Sequence, residues 1–211
     1  MIITNCEQQS EAWYSVRCGK VTGTRFQALM MGLKTKGFND LISDVMAELI
    51  TEEIEPTYIN EIMQRGIDLE PEAIKEYEHL SECEVKSVGF CEPNADHEFY
   101  DWIGCSPDGI IENIDPLNYG LVEVKCPLAK THLGYISDGI LPPKYINQVQ
   151  GQLFVTGLAW CDFMSYYPKM KTFIIRVYPD KALHEQFTER LRFFINTVKE
   201  KLEIYENYGK H

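Results

Sequence analysis

The sequence predicts an α/β (α+β) fold in which a central mixed β-sheet is flanked by helices. Residues 121–126 are apolar and rich in β-branched side chains, which is typical of a buried strand. Residues 113–120 contain Asn, Asp, Pro and Gly, which are typical of the loop of a β-hairpin. Apolar residues recur at helical spacing over residues 40–54 and 181–205. The chain therefore combines a sheet with helices.

Length and composition set the outer limits. The 211 residues are enough to bury a sizeable core, and we expect residues 1–211 to form a single domain. The sequence has no run of about 18 apolar residues and no signal peptide, so we expect no membrane association and a cytoplasmic location. Seven scattered cysteines without a Cys-x-x-Cys pair predict reduced, mostly buried thiols and no zinc site or iron–sulfur cluster.

The amino-terminal segment predicts a helix over residues 25–31 with Thr22 or Thr24 as its cap. A helix start with hydroxyl groups and the nearby Arg17 suits a phosphate group. Capping and a surface ion pair would account for the same residues, so both interpretations stay open.

A basic loop is predicted over residues 32–37, followed by a core-facing helix over residues 40–54. A second helix is predicted from Pro71 to about residue 80, because proline fits the first helical position. This assignment places Glu70 at the helix entrance, either as a capping or surface acid or as a further metal ligand.

Strands are predicted on both sides of the hairpin, over residues 85–90, 100–105, 161–167 and 172–178. Pro142 and Pro143 precede a predicted helix that carries Gln148. A glutamine on a helix is usually polar surface, but Gln148 is also a candidate to hydrogen-bond the attacking water or a phosphate oxygen. The last helix, residues 181–205, has one apolar stripe and is predicted to be structural.

The candidate chemistry lies on the hairpin. Glu123 and Lys125 are two residues apart, so both project from one face of the strand, roughly 7 Å apart. Asp108 stands between proline and glycine at a predicted bend, and folding of the hairpin would bring it beside Glu123. Two carboxylates and the Val124 carbonyl form an all-oxygen set suited to Mg²⁺ or Mn²⁺. The alternative is a surface hairpin with a Glu/Lys pair.

The charge of the chain is unevenly distributed. The formal net charge is −12, which is unfavourable for an enzyme that binds nucleic acid. Residues 12–39, however, contain five basic residues and no acidic one, so the rest of the chain carries −17, from 15 basic and 32 acidic residues. Either an acidic protein has a basic end by chance, or phosphate contacts are concentrated in this segment.

These segments in order resemble one family closely: the phage lambda-type exonucleases, also called the YqaJ-like viral recombinase family, within the restriction-endonuclease-like PD-(D/E)xK nuclease superfamily. The matching segments are residues 13–24, 66–73, 105–109, 122–127 and 147–150. The resemblance implies a restriction-endonuclease-like core.

The resemblance also implies an activity: a 5′-to-3′ exonuclease that degrades one strand of linear double-stranded DNA with two Mg²⁺ ions. It implies a ring-shaped homotrimer, and we expect a single-strand annealing recombinase as its partner in recombination. A phage or prophage origin within a bacterial host cell is expected.

The resemblance assigns site residues by position. It implies metal binding by Glu70, Asp108, Glu123 and the Val124 carbonyl, and it places Lys125 and Gln148 beside the nucleophilic water. It implies a 5′-phosphate pocket formed by Arg17, Thr24 and Ser106. More weakly, it implies that Met63 separates the terminal base pair and that Lys34 and Lys36 contact the duplex, while the acidic Glu61 puts the strand path there in doubt.

Two other functions stay open at the level of sequence. The first is an endonuclease or nickase of the same superfamily, which would cut closed circular DNA. The second is a noncatalytic DNA-end-binding protein, against which the intact Asp108, Glu123 and Lys125 argue.

Overall fold

The computed structural model describes residues 1–55, 58–112 and 118–210. The helices and strands follow in the order β1 (Ile2–Thr4), α1 (Glu11–Arg17), β2 (Val21–Thr22), α2 (Arg25–Leu29), α3 (Lys36–Thr51), α4 (Glu61–Ser81), β3 (Val85–Lys86), β4 (Phe90–Glu92), β5 (Ile103–Gly104), β6 (Gly109–Ile111), β7 (Gly120–Lys125), α5 (Ala129–Asp138), α6 (Pro143–Thr156), β8 (Trp160–Ser165), β9 (Phe173–Val177) and α7 (Lys181–Asn207).

A five-stranded sheet forms the centre, in the order β3-β6-β7-β8-β9. β7 and β8 run parallel, with Gly120 opposite Trp160 and Lys125 opposite Ser165, while the other neighbours are antiparallel. Parallel neighbours need a long crossover connection, and here it contains α5 and α6. The predicted mixed sheet flanked by helices is confirmed.

Two small sheets attach the amino-terminal segment to the middle of the chain. β1 pairs with β4, and β2 runs parallel to β5 with Val21 opposite Ile103. An isolated bridge joins Cys91 to Cys105. The pairing of β2 with β5 brings the basic segment next to the bend that precedes β6.

The two faces of the central sheet pack against different apolar clusters. Leu121 and Phe163 belong to a large cluster that includes residues of α2, α3, α6 and α7. Val122 and Met164, the next residue of each strand, belong to a smaller cluster that includes Tyr77 of α4. Because side chains alternate along a strand, Glu123 and Lys125 project to the same face as Leu121.

α7 is held by an apolar stripe. Its buried residues are Phe187, Leu191, Phe194, Ile195 and Val198, and the Phe187 ring lies 5.1 Å from that of Phe26 in α2. The predicted structural role of this stripe is confirmed.

α4 differs from the prediction. It begins at Glu61, ten residues before Pro71, because the Asn60 side chain caps it by accepting hydrogen bonds from the Ile62 and Met63 N–H groups. Pro71 lies inside the helix, where it withholds one N–H from the helical hydrogen-bond ladder. The prediction that Pro71 opens the helix, with Glu70 at its entrance, was wrong.

Other element bounds also differ. α3 begins at Lys36 because the Thr35 side chain caps it, so part of the predicted loop 32–37 is helical. The strands near residues 85–90 and 100–105 are shorter than predicted. In the second region, residues 97–103 form successive turns closed by backbone hydrogen bonds. The short helices α1 and α5 were not predicted. Of the predicted hairpin loop, residues 113–117 lie outside the described residues.

All seven cysteines are free thiols; Cys91, Cys105 and Cys161 are buried and the other four are partly exposed. In the part of the chain that the structure describes, none of the helices combines the length and apolar character needed to span a bilayer.

Candidate active site

Asp108 is held at the end of the β6–β7 hairpin. β6 pairs with β7 only as far as Val122, so the ladder on that side of β7 ends there. The Asp108 carboxylate continues it by accepting a hydrogen bond from the Val124 N–H at 2.6 Å. The N–H and C=O of a strand residue project to the same side, so the Val124 carbonyl is directed towards the side on which Asp108 lies.

Glu123 and Lys125 lie together, as their spacing predicts. The Lys125 ammonium donates to Oε1 of Glu123 and forms an ion pair with it. The Glu123 side chain is 1% exposed, whereas that of Lys125 is 26% exposed. The lysine is therefore the member of the pair that faces the solvent-accessible side of the site.

Two glutamines of α6 complete the hydrogen bonding of Glu123. Gln148 Nε2 donates to Oε1, and Gln152 Nε2 donates to Oε2 at 2.6 Å. The two residues are one helical turn apart, so both reach the sheet from one helix face. The structure thus brings Gln148 to the acidic cluster, where the sequence hypothesis expected it.

Glu70 comes from the middle of α4 and is partly buried. Burial raises the pKa of its carboxyl, Lys125 lowers it, and the charge of Glu123 raises it again, with a net increase. Because Lys125 and Glu123 both act on the pKa of Glu70, we group this third predicted acid with the hairpin residues.

The cluster holds more acidic groups than basic ones. Burial raises the pKa of Asp108 well above its ordinary value, and the charge of Glu123 raises it further. Burial lowers the pKa of Lys125, but the charges of Glu123 and Asp108 outweigh burial and hold that pKa above its ordinary value. Lys125 is therefore a stable cation beside acids that it does not fully neutralise.

The donor set fits a hard divalent cation. Carboxylate and carbonyl oxygens are the ligands that Mg²⁺ and Mn²⁺ prefer, and a dication would offset the burial and the charge of Glu123 that raise the pKa values of Asp108 and Glu70. As the side chains stand, no three His, Cys, Asp or Glu within the described ranges are arranged to hold a metal ion. Glu123 is contacted by Lys125, Gln148 and Gln152, so its oxygens would be shared with a bound ion.

Arg17 and Ser106 meet at a second polar cluster. Arg17 Nη1 and Trp13 Nε1 both donate to Ser106 Oγ, at 2.9 and 2.8 Å. Arg17 Nη2 donates to Thr22 Oγ1 at 3.0 Å, and the guanidinium lies 4.0 Å from the Trp13 ring centroid. Burial and the charge of Arg25 lower the pKa of Arg17 to about 10. This cluster favours an anion.

Arg17 also differs from its basic neighbours. Lys20 pairs with Glu92 at 3.3 Å, Arg25 pairs with Glu48, and Lys36 pairs with Asp40 at 2.6 Å. Within residues 1–55, 58–112 and 118–210, Arg17 and Lys34 form no ion pair, so their charges are not neutralised by a described carboxylate.

Thr24 lies at the start of α2 and is exposed. Its side chain makes no capping hydrogen bond, because its backbone is helical (φ −64°, ψ −20°) rather than extended. The predicted capping by Thr22 or Thr24 was therefore wrong, and Thr22 instead accepts from Arg17.

The weaker DNA-contact candidates are all on the surface. Lys34 precedes α3, Lys36 begins it, and Met63 lies in the first turn of α4 with 46% of its surface exposed. Glu61, also exposed, begins α4. In the described part of the chain, none of these residues forms a hydrogen bond or an ion pair with the acidic cluster.

Sequence reasoning missed three contacts. Gln152 was not assigned to the acidic cluster, although its four-residue spacing from Gln148 was a usable signal. Trp13 is not singled out in the sequence, and its contact with Ser106 depends on long-range pairing that no local pattern indicates. Thr22 is predicted only as a cap, although its contact with Arg17 joins residues close in the chain.

The fold and the site together indicate the class of protein to which this chain belongs. A mixed sheet that carries an acid at a hairpin bend, and Glu-x-Lys on the adjoining strand, is the arrangement of the restriction-endonuclease-like fold. Residues 12–159 match the model of the YqaJ-like viral recombinase domain. The chain belongs to the YqaJ-like viral recombinase family.

Solved structures agree with this assignment. An alkaline exonuclease from Laribacter hongkongensis is 31% identical, with a TM-score of 0.82 over 94% of this chain and 97% of that one. The same exonuclease in complex with dAMP matches at 30% identity and a TM-score of 0.82, with the same coverage of both chains. A phage-related exonuclease from Haemophilus somnus 129PT, at 14% identity and a TM-score of 0.65 over 88% of this chain and 96% of that one, shares the fold.

A viral relative is also similar. Uncharacterized protein R354 of Acanthamoeba polyphaga mimivirus is 26% identical in an alignment of 170 residues that covers 77% of this chain and 29% of that protein. The chain thus spans less than a third of the length of this curated relative.

Proposed function

We propose that this protein is a Mg²⁺-dependent exonuclease that degrades one strand of linear double-stranded DNA in the 5′-to-3′ direction. It would begin at 5′-phosphorylated ends and leave 3′ single strands for recombination by strand annealing. The observation that carries the proposal is the pair of oppositely charged clusters joined by one short segment. Asp108 belongs to the acidic cluster, and Ser106, two residues earlier, belongs to the Arg17 cluster.

The acidic cluster would hold the metal. Glu70, Asp108, Glu123 and the Val124 carbonyl are the proposed ligands of two Mg²⁺ ions, and Mn²⁺ is expected to substitute. When bound, such ions activate water and stabilise the attacking and leaving oxygens of a phosphodiester hydrolysis.

Lys125 and Gln148 would orient the reacting groups. The pKa of Lys125 is held above its ordinary value, so the side chain stays protonated. Its ammonium group would donate a hydrogen bond to a phosphate oxygen and would not act as a base. Both donate to Oε1 of Glu123, so an attacking water near that oxygen would lie within reach of both.

The Arg17 cluster would select the DNA end. Ser106 Oγ accepts from both Trp13 and Arg17, and among the described residues its own proton has no acceptor, so it can be donated to a phosphate oxygen. A terminal phosphate carries more charge than an internal one, so a buried guanidinium favours it. Thr24 remains a proposed third member of this pocket. Each cut exposes a new 5′-phosphate, which would draw the enzyme forward.

The relatives support the same reaction class. The Laribacter hongkongensis protein is an exonuclease, and its complex with dAMP contains a deoxynucleoside monophosphate, which is the product class proposed for this chain. Family membership supports a role in viral recombination.

Several parts of the proposal rest on the sequence and the family resemblance and not on the geometry of the site. These are a single nuclease domain over residues 1–211, a ring-shaped homotrimer around the DNA, an annealing recombinase partner, a cytoplasmic location in a bacterial host of phage or prophage origin, and duplex contacts by Lys34, Lys36 and Met63. The trimer is testable by light scattering coupled to size-exclusion chromatography, where the mass of one chain, 24.4 kDa, would contradict it.

A digestion time course on linear DNA with a 5′-phosphate at one end only tests the function. With Mg²⁺, nucleotides should be released from the phosphorylated end, and without Mg²⁺ release should stop. Cutting of closed circular DNA at a comparable rate would indicate a nickase instead. Binding to DNA ends without any Mg²⁺-dependent release would indicate a noncatalytic end-binding protein.

A further inference from the structure

Both carboxylate oxygens of Glu123 accept hydrogen bonds, but only one of them accepts from residues that already have a role in the proposed function. Oε1 is contacted by Lys125 and Gln148, the two residues proposed to orient the reacting groups. Oε2 is contacted by Gln152 at 2.6 Å, and no role in the family resemblance accounts for this residue. The two edges of the carboxylate are therefore separable by substitution.

The orientation of the Gln152 amide is fixed by its acceptor. An ionised carboxylate can only accept hydrogen bonds, so the Nε2 end of the amide must face Glu123. The opposite end, Oε1, is then buried and has no hydrogen-bond partner in the part of the chain described. Leaving a buried acceptor without a donor costs free energy, so the hydrogen bonding of the amide itself does not explain its position.

The surroundings restrict Gln152 further. Its side chain is 1% exposed, and it lies on α6 between the buried residues Gly151 and Leu153. Gly151 is packed so closely against the Phe26 ring that an added Cβ would lie 2.5 Å from it. The helix therefore approaches α2 closely at this point, and the burial of the Gln152 side chain leaves its amide little room to move away from Glu123.

We infer that Gln152 is a positioning residue that fixes the Oε2 edge of Glu123 and thereby sets the affinity of the site for a divalent cation. This inference rests on the proposed function, because it assumes that Glu123 is a metal ligand. Gln152 does not touch the reacting atoms. It prevents rotation of the carboxylate, so that the oxygens keep one orientation towards Asp108 and the Val124 carbonyl.

Gln150 supplies a matched control on the same helix. It is also buried, at 4% exposure, and its amide is fully used: Nε2 donates to the Tyr178 carbonyl at 2.8 Å, while Oε1 accepts from the Asp180 N–H and contacts the His184 ring, both at 2.9 Å. These contacts fix α6 to the start of α7 and do not involve Glu123. Gln150→Met and Gln152→Met therefore remove the same chemical group from one helix at two positions.

The test is the Mn²⁺ dissociation constant of the full chain, measured by titration calorimetry without DNA, together with thermal unfolding in the absence of metal. Loss of a residue that orients a metal ligand typically weakens metal binding about 10–100-fold. Gln152→Met should show this loss while retaining cooperative unfolding. Gln150→Met should bind Mn²⁺ as the unaltered chain does and unfold at a lower temperature.

Gln152→Asn provides a second variant should the methionine variant fail to fold. It keeps a buried amide but is one methylene too short to reach Oε2, so it should weaken Mn²⁺ binding in the same way. Equal Mn²⁺ affinity of the folded Gln152 variants and the unaltered chain would overturn the inference and leave the proposed function intact. No Mn²⁺ binding by the unaltered chain would overturn the proposed function and this inference with it.

Discussion

Glu123 and Asp162 are both buried carboxylates, on neighbouring strands of one sheet, but they have opposite electrostatic surroundings. Asp162 accepts from Arg176 Nε and Nη2 through both oxygens, each at 2.8 Å, and from the Tyr77 hydroxyl at 2.7 Å. The guanidinium neutralises it. Burial raises the pKa of Tyr77, as does its hydrogen bond to Asp162, so the hydroxyl stays protonated and donates.

Glu123 has one cation among three acids. Lys125 pairs with it, while Asp108 and Glu70 lie close enough for the charge of Glu123 to raise their pKa values. The folded chain thus neutralises one buried carboxylate and leaves a second cluster with an excess of acidic groups over basic ones. Such an excess is costly in a protein interior without a cation, so the difference supports a structural role for Asp162 and the proposed metal-binding role for Glu123.

The largest expected difference between the Glu123 cluster and the surroundings of Asp162 is in the rate of nucleotide release. Lys125→Ala and Asp108→Ala should lower nucleotide release from linear DNA by at least about 10²–10³-fold, because each removes a group that would act on the developing charge. Circular dichroism should show an intact fold. Asp162→Asn should keep substantial activity; ordinary activity in either hairpin variant would remove that residue from the proposed reaction.

A smaller effect is expected at the cluster of opposite sign. Arg17→Ala should lower the preference for 5′-phosphorylated over 5′-hydroxyl ends about 10–100-fold, since a hydrogen bond to a charged group contributes about 1.5–3 kcal/mol. The rates on the two ends should be compared on otherwise identical duplexes. Lys34→Ala, which removes another unpaired charge of the basic segment, is the control. An unchanged ratio in Arg17→Ala would place end selection elsewhere.

Replacing Asp162 and replacing Asp108 should change the free energy of unfolding in opposite directions. Asp162→Asn should lower the free energy of unfolding by about 1–3 kcal/mol, less than for a fully buried ion pair because Arg176 is 45% exposed and can rehydrate. Asp108→Asn should raise it in metal-free buffer near pH 8. Denaturant unfolding of both variants beside the unaltered chain measures the two changes.

The pH dependence follows from the sign of the shift. The pKa of Asp108 is higher folded than unfolded, so its ionisation destabilises the folded chain as pH rises above the ordinary value of 3.8. The gain from Asp108→Asn should therefore vanish in acid and grow towards neutral pH. A variant that is less stable at pH 8 than the unaltered chain would contradict the assignment of excess negative charge.

The smallest expected effect is at the exposed basic residues. Lys34→Ala should weaken duplex binding equally for all sequences and reduce the slope of log affinity against log salt by about 1, as expected for one lost phosphate contact. Binding is measured over a salt series with an Asp108→Ala chain that does not cut. An unchanged slope would remove Lys34 from the duplex path.

The hairpin chemistry was accessible from sequence because it is local. Strand alternation alone places Glu123 and Lys125 on one face, and the loop composition predicts the hairpin that brings Asp108 to them. The four-residue spacing of Gln148 and Gln152 similarly predicts one shared helix face.

The features that the sequence did not predict depend on competition between local signals or on contacts between residues far apart in the chain. At Pro71 the capping of α4 by Asn60 outweighs the preference of proline for a first helical turn, so a local rule gave the wrong start. Arg17 and Ser106 are 89 residues apart, and their contact depends on the parallel pairing of β2 with β5, which no periodicity indicates.

Anomalous diffraction from crystals soaked in Mn²⁺ tests the proposed metal site directly. We expect a peak bounded by Asp108, Glu123 and the Val124 carbonyl, with Glu70 nearby, and no peak beside Asp162. Well-ordered carboxylates at Asp108 and Glu123 without an anomalous peak between them would contradict it.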